Sequence, residues 1–220
     1  MRRSKLTLWA LCLVALGFVF APQAFASGKW EPTGTSDGVR LSKMEVEGSS
    51  IVAFRGEVVA DVNIAKLIAV FIDSNERRHW VDRYAGHKTL ERSETREVYW
   101  IKFALPFPAT DRDYVLQTDV AVDEDTKVFT ARIKSVVDRR KGEDGCCVRA
   151  EVRNTFYRFQ ALPDGRTSMS VEVHTDPKGR IPTWLVNRIQ RDWPSKTLSG
   201  LINRTKKSPV PAHPHFVDWH

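Results

Sequence analysis

The sequence predicts an α+β fold in which a hairpin, a helical insertion, a long antiparallel sheet and a closing helix follow one another. Three observations predict it. Between Thr89 and His174 the apolar residues recur with period two, in runs separated by turn clusters. One earlier stretch, after Asp61, carries a 3.6-residue period instead. A second apolar-faced stretch begins at Ile181-Pro182, where proline suits a first helical turn. The 220 residues are 42% hydrophobic and 28% charged, which excludes a disordered chain and a polytopic membrane protein. Twelve Gly and eleven Pro without a period exclude a collagen-like chain, and three Cys are too few for a disulfide-stapled miniprotein or a zinc ribbon.

Residues 1–26 read as a secretory signal peptide. Arg2, Arg3 and Lys5 precede an apolar run from Leu6 to Phe20, and Ala24-Phe25-Ala26 is a small-x-small cleavage site. The run falls short of the ~20 residues that span a bilayer comfortably. Cys12 follows the bulky Leu11, which does not suit a lipidation site. The expected product is exported, to a periplasm or beyond. Without the segment, 31 Lys and Arg face 27 Asp and Glu, a net of +4. The basic residues are scattered rather than striped, so no nucleic-acid partner is predicted. The clusters Arg139-Arg140-Lys141 and Arg204 to Lys207 read as solvated loop or helix ends, with a transient anionic membrane surface as the sharper alternative.

Residues 27–38 are polar and turn-rich and read as a lead-in without an element. Val39 to Val46 and Ile51 to Val59 form a hairpin around Glu47-Gly48-Ser49-Ser50. Ile64, Leu67, Ile68, Phe71 and Ile72 mark a helix with one buried face. A charged segment from Asn75 to Tyr84 follows, anchored by Trp80. The strands are Thr89 to Arg92, Glu97 to Phe103, Tyr114 to Val122, Val128 to Val137, Val148 to Leu162 and Thr167 to His174. Six in succession imply antiparallel meander pairing. Leu116, Thr118, Val120 and Val122 share an inner face with Phe129, Ala131, Ile133 and Ser135, and with Met169, Val171 and Val173. Leu185, Ile189, Leu198, Leu201 and Ile202 line the last helix, which Pro194 should bend or interrupt. The Pro-rich tail, residues 208–220, is expected to be poorly ordered. Periodicity alone leaves the space under the closing helix as either packed core or cavity.

Adjacent Cys146 and Cys147 cannot reach ordinary disulfide geometry without a strained eight-membered ring. They read as two small residues entering a strand, with vicinal or intermolecular oxidation as the alternative. No metal site is expected, since no His lies nearby in sequence.

Three motifs carry a resemblance. Pro106-Phe107-Pro108-Ala109-Thr110-Asp111-Arg112-Asp113-Tyr114-Val115, then Val148-Arg149-Ala150-Glu151, then the run from Val171 to Asn187 with its Asp176-Pro177-Lys178-Gly179 turn and Ile181-Pro182-Thr183-Trp184-Leu185-Val186-Asn187, stand in order. Together they resemble steroidogenic acute regulatory protein-related lipid-transfer (START) domains over roughly residues 39–207. The resemblance implies a helix-grip fold, in which a curved sheet and the C-terminal helix enclose one lipid, and a monomeric carrier without a cofactor. The departure is at the front, where little sequence is left for the N-terminal helix many members carry. On that reading Leu116, Thr118, Val120, Phe129, Ile133, Val171, Leu185 and Ile189 line the tunnel, with plain core as the alternative at each. Arg112 shares their strand parity and points inward, its expected partner being a nearby carboxylate rather than a lipid head. Thr118 stands where some sterol-carrying members hold a buried charge, which implies a largely neutral pocket and slightly favours a sterol or other weakly polar lipid. Catalysis would need a base and a positioned partner in the cavity. The six His are expected in loops, at a strand end or in the tail, and no G-x-S-x-G or H-E-x-x-H is present. An enzyme and a protein-interaction module are the competing classes.

Overall fold

Alternating apolar residues become strands here because each run can bury one face against helices while its other face stays wet. In the computed structural model, which describes residues 28–181 and 183–219, ten strands form one sheet. In chain order they are β1 Glu31–Ser36, β2 Val39–Met44 and β3 Ala53–Ala60, helices α1 Ile64–Ile72 and α2 Arg77–Trp80, then β4 Tyr84–Arg92, β5 Arg96–Phe103, β6 Arg112–Asp123, β7 Val128–Ser135, β8 Val148–Arg149, β9 Glu151–Ala161 and β10 Thr167–Asp176, closed by α3 Thr183–Lys207. The spatial order is β1-β2-β3-β10-β9-β7-β6-β5-β4, antiparallel throughout, with the short β8 added parallel to β6. The expected signal peptide lies outside the described residues. No helix among the described residues is long and apolar enough to cross a membrane.

Helix α1 follows its sequence signal. Asn63 caps it, its side chain accepting from the Lys66 N–H, and Ile64, Leu67, Ile68 and Phe71 are buried. Four sequence expectations need correction. The lead-in is strand β1, an exposed edge strand irregular at Pro32 and Gly34. Its hairpin with β2 turns through Asp37 and Gly38, both at positive φ, as a two-residue hairpin loop requires. The run from Val148 to Leu162 is two strands, β8 bonding to β6 and β9 to β7 and β10.

The third correction is α3, which is not interrupted at Pro194. The proline ring faces Gly56 of β3, where a Cβ would stand 2.9 Å from the Pro194 Cβ and 3.4 Å from Leu198. A missing side chain on the sheet therefore receives the ring, and packing offsets the lost helical hydrogen bond. Helix α3 also crosses α2 closely. A Cβ on Gly200 would sit 2.5 Å from the Trp80 carbonyl oxygen. Gly200→Ala should therefore destabilise by about 1–3 kcal/mol by overpacking, although alanine is the better helix former by about 1 kcal/mol. A thermal melt with an unchanged or raised midpoint would show that the helices yield there.

The fourth correction is the tail. Far from being loose, it packs across α1: the His213 N–H donates to the Ala65 carbonyl at 3.0 Å, and Lys66 Nζ donates to the carbonyls of Ser208 (2.9 Å) and Val210. Phe216 and Trp219 are buried in the main apolar cluster. Of the two readings of Cys146 and Cys147 given above, the structure has the alternative, a vicinal disulfide just before β8.

Candidate functional site

The curved sheet does not close onto its helices. Between them lies a cavity of about 700 Å³, within the range of small-molecule sites. Its long wall follows from strand period. Arg112, Tyr114, Leu116, Thr118, Val120 and Val122 of β6 all face it, as do Glu97, Tyr99, Ile101 and Phe103, their partners on β5. Phe129 and Ile133 continue the wall on β7, and Ile189 with Val186 comes down from α3. On β9 a register shift drops Arg153 from the pairing, so Val152 and Thr155 both face inward despite their odd spacing.

Seven of the nine residues picked from sequence thus stand on the wall: Arg112, Leu116, Thr118, Val120, Phe129, Ile133 and Ile189. Val171 and Leu185 do not; both are buried core. For Val171 the cause is its cross-strand partner Gly56, over which Pro194 and Leu198 settle onto the sheet. Strand parity told which face Val171 takes but not where the helix touches that face.

Arg112 is 2% exposed, and its partners are not the expected carboxylate. Nε donates to the Pro177 carbonyl at 2.9 Å, Nη2 to Lys178 at 2.8 Å and Nη1 to Thr110. Burial lowers its pKa from the usual guanidinium value. The side chain thus clamps the Asp176-Pro177-Lys178-Gly179 turn that leads into α3, closing one end of the cavity.

A buried polar cluster that sequence reasoning missed stands on the wall. Arg77 of α2 meets Glu97 at 2.5 Å, with side chains only 9% and 7% exposed. Arg77 also lies 4.1 Å above the Tyr99 ring and donates to His87 Nε2 at 2.7 Å. Thr89 donates to the other Glu97 oxygen at 2.9 Å. Burial opposes the charge on Glu97, but His87, Arg77 and Thr89 outweigh it and hold the carboxyl down at about 2. Thr118 lies across from Glu97 in register and reaches the Tyr99 hydroxyl at 3.4 Å. The pocket is therefore not the largely neutral one expected from Thr118. His87, expected in a loop, sits on strand β4.

A carboxylate and an imidazole meeting beside a cavity is what an acid–base reading would need. Here His87 Nε2 is occupied by Arg77 and stands 3.7 Å from Glu97. A carboxylate held near 2 is also a poor proton acceptor at neutral pH, where a general base works best with a pKa near ambient. The arrangement suits recognition of a polar group better than proton transfer. Among the described residues no group of three or more His, Cys, Asp or Glu could hold a metal ion.

A curved antiparallel sheet gripping a long C-terminal helix around an apolar cavity defines a helix-grip protein. The START domain family model matches residues 29–205, and the chain belongs to the START domain family. Over 198 residues it is 28% identical to an uncharacterized protein of Pseudomonas aeruginosa, covering 89% of this chain and 95% of that one. It is 23% identical to the phosphatidylcholine transfer protein of Mus musculus, covering 74% of this chain and 78% of that one. Among solved structures it is similar to a STAR-related lipid transfer protein from Xanthomonas axonopodis (24% identity, TM-score 0.69, 80% of this chain and 98% of that one). It is also similar to human STARD10 (21% identity, TM-score 0.74, 82% and 74%).

Proposed function

We propose that the protein is a lipid carrier that holds one water-insoluble ligand in this cavity. The polar end of the ligand sits at the Arg77–Glu97 pair, and its apolar body runs along the inner faces of β5 and β6 toward Arg112. The observation that carries this reading is a wall of period-two apolar residues with the buried Arg77–Glu97 ion pair midway along it. Each methylene moved out of water into such a wall gains about 0.8 kcal/mol. The bilayer offers the same burial, so the carrier gains little net affinity over membrane and acts by lowering the barrier to leaving it. That requires a transient encounter with a membrane surface by a single chain. The reading agrees with the lipid-transfer proteins among the relatives. The Cys146–Cys147 disulfide fits work in an oxidising compartment outside the cytoplasm.

The full chain, incubated with phospholipid and sterol vesicles and separated from them, should show by native mass spectrometry one bound lipid per monomer. Recovery of the chain without lipid after such exposure would count against carriage. Sterol alone on the chain would place its hydroxyl, rather than a larger head, at the ion pair.

A further inference from the structure

The ion pair divides the cavity unequally. On the inner face of β6, Arg112 closes one end, Thr118 lies across from Glu97, and Val122 is the last wall residue. At about 3.4 Å per residue the arm from the pair toward Arg112 is about 20 Å long, and the arm in the other direction about 14 Å. The C-terminal tail, which lies beyond the family match ending at residue 205, borders the shorter arm. Phe216 and His213 both line it. The Phe216 ring is 4% exposed and meets Phe129 edge-on at 6.2 Å, with Trp219 packed behind it at 4.8 Å. The tail is held at one side by α1, as described above. At the other side Glu124, in the turn after β6, accepts from Trp219 Nε1 at 3.0 Å and meets His215 Nε2 at 2.6 Å.

If the polar group of the ligand rests at Arg77–Glu97 and its apolar body fills the longer arm, whatever the head carries beyond that group must occupy the shorter one. From this juxtaposition we propose that the tail selects the ligand by the size of its head, with Phe216 as the residue that sets the limit. The inference rests on the carrier reading above. The ring is fixed by packing on both sides, so it acts as a wall rather than a yielding side chain.

The test loads the full chain from vesicles that contain phosphatidic acid, phosphatidylethanolamine and phosphatidylcholine in equal amounts with identical acyl chains. The bound species are counted by native mass spectrometry. Phe216→Ala should raise the ratio of the bulkiest to the smallest head in the bound pool about fivefold relative to the native chain. Phe216→Trp, which keeps the core filled if the alanine variant fails to fold, should lower that ratio. Equal head distributions in the native chain and the folded variants overturn the inference while leaving carriage intact. Failure of the native chain to take up any of the three overturns the inference, and carriage falls with it only if sterol vesicles load nothing either.

Discussion

Glu97→Gln should cost about 3–5 kcal/mol of folding stability, because it leaves the Arg77 guanidinium buried without its counter-charge. Desolvation is only tolerable while the partner is charged. Arg77→Met combined with Glu97→Gln should recover most of the loss, since both charges are then gone. Urea unfolding at neutral pH reads the three values, and a double variant no better than the single one would mean that the two residues are not energetically coupled. The same carboxylate predicts a pH dependence. Its folded pKa of about 2 lies below the ordinary value of 4.5, so the native state favours the charged form. The resulting stabilisation, about 3 kcal/mol, is complete above pH 4.5 and is lost as pH falls toward 2. Glu97→Gln should flatten that part of the stability curve. Parallel acid unfolding curves for the native and variant chains would sink the assignment.

Thr118→Trp should cut lipid loading at least about tenfold while the domain stays folded. Thr118 sits midway along the inner face of β6, with Glu97 on one side and Ile133 on the other. An indole there projects across the open cross-section. In a close-packed core such an insertion would cost 1–3 kcal/mol or more. Facing a void it has room, so the melting midpoint should hardly change. The pair of readouts separates two situations that sequence periodicity could not. Lost loading with an intact fold means the ligand passes Thr118; a collapsed midpoint means the space was already filled. Unchanged loading would show that the ligand lies elsewhere.

Much of the architecture was legible because strands and helices announce themselves by period. The inner face of β6 alternates without a break from Arg112 to Val122, and its pairing with β7 brings Val122 to Phe129 and Thr118 to Ile133. The α1 stripe and the order of strands followed in the same way. The misses have their own reasons. Strand β1 is a polar edge strand with no alternating pattern, although Asp37-Gly38 is a hairpin signal that could have found it. The tail averages as polar and Pro-rich, which hides two aromatic residues, Phe216 and Trp219, three apart and turned to the same core by a single 3-10 turn. Arg77 is one of two adjacent arginines in a charged run, and nothing local distinguishes it from Arg78.

By itself the sequence determined which residues face inward, because side-chain alternation is a property of the backbone and needs no partner. It also carried the three motifs that mark the family. What only the tertiary structure decided is where the inward faces meet other groups and where they meet empty space. Val171 and Leu116 obey the same alternation, yet one lies beside Gly56, onto which Pro194 and Leu198 pack, and the other on an open wall. The distance between helix and sheet is set by residues remote in sequence: Gly56 admits α3, Gly200 admits α2, and Phe216 borders the far end. Each contact joins elements that no local pattern relates, so the hollow and the buried charge beside it arise only when all of them pack at once.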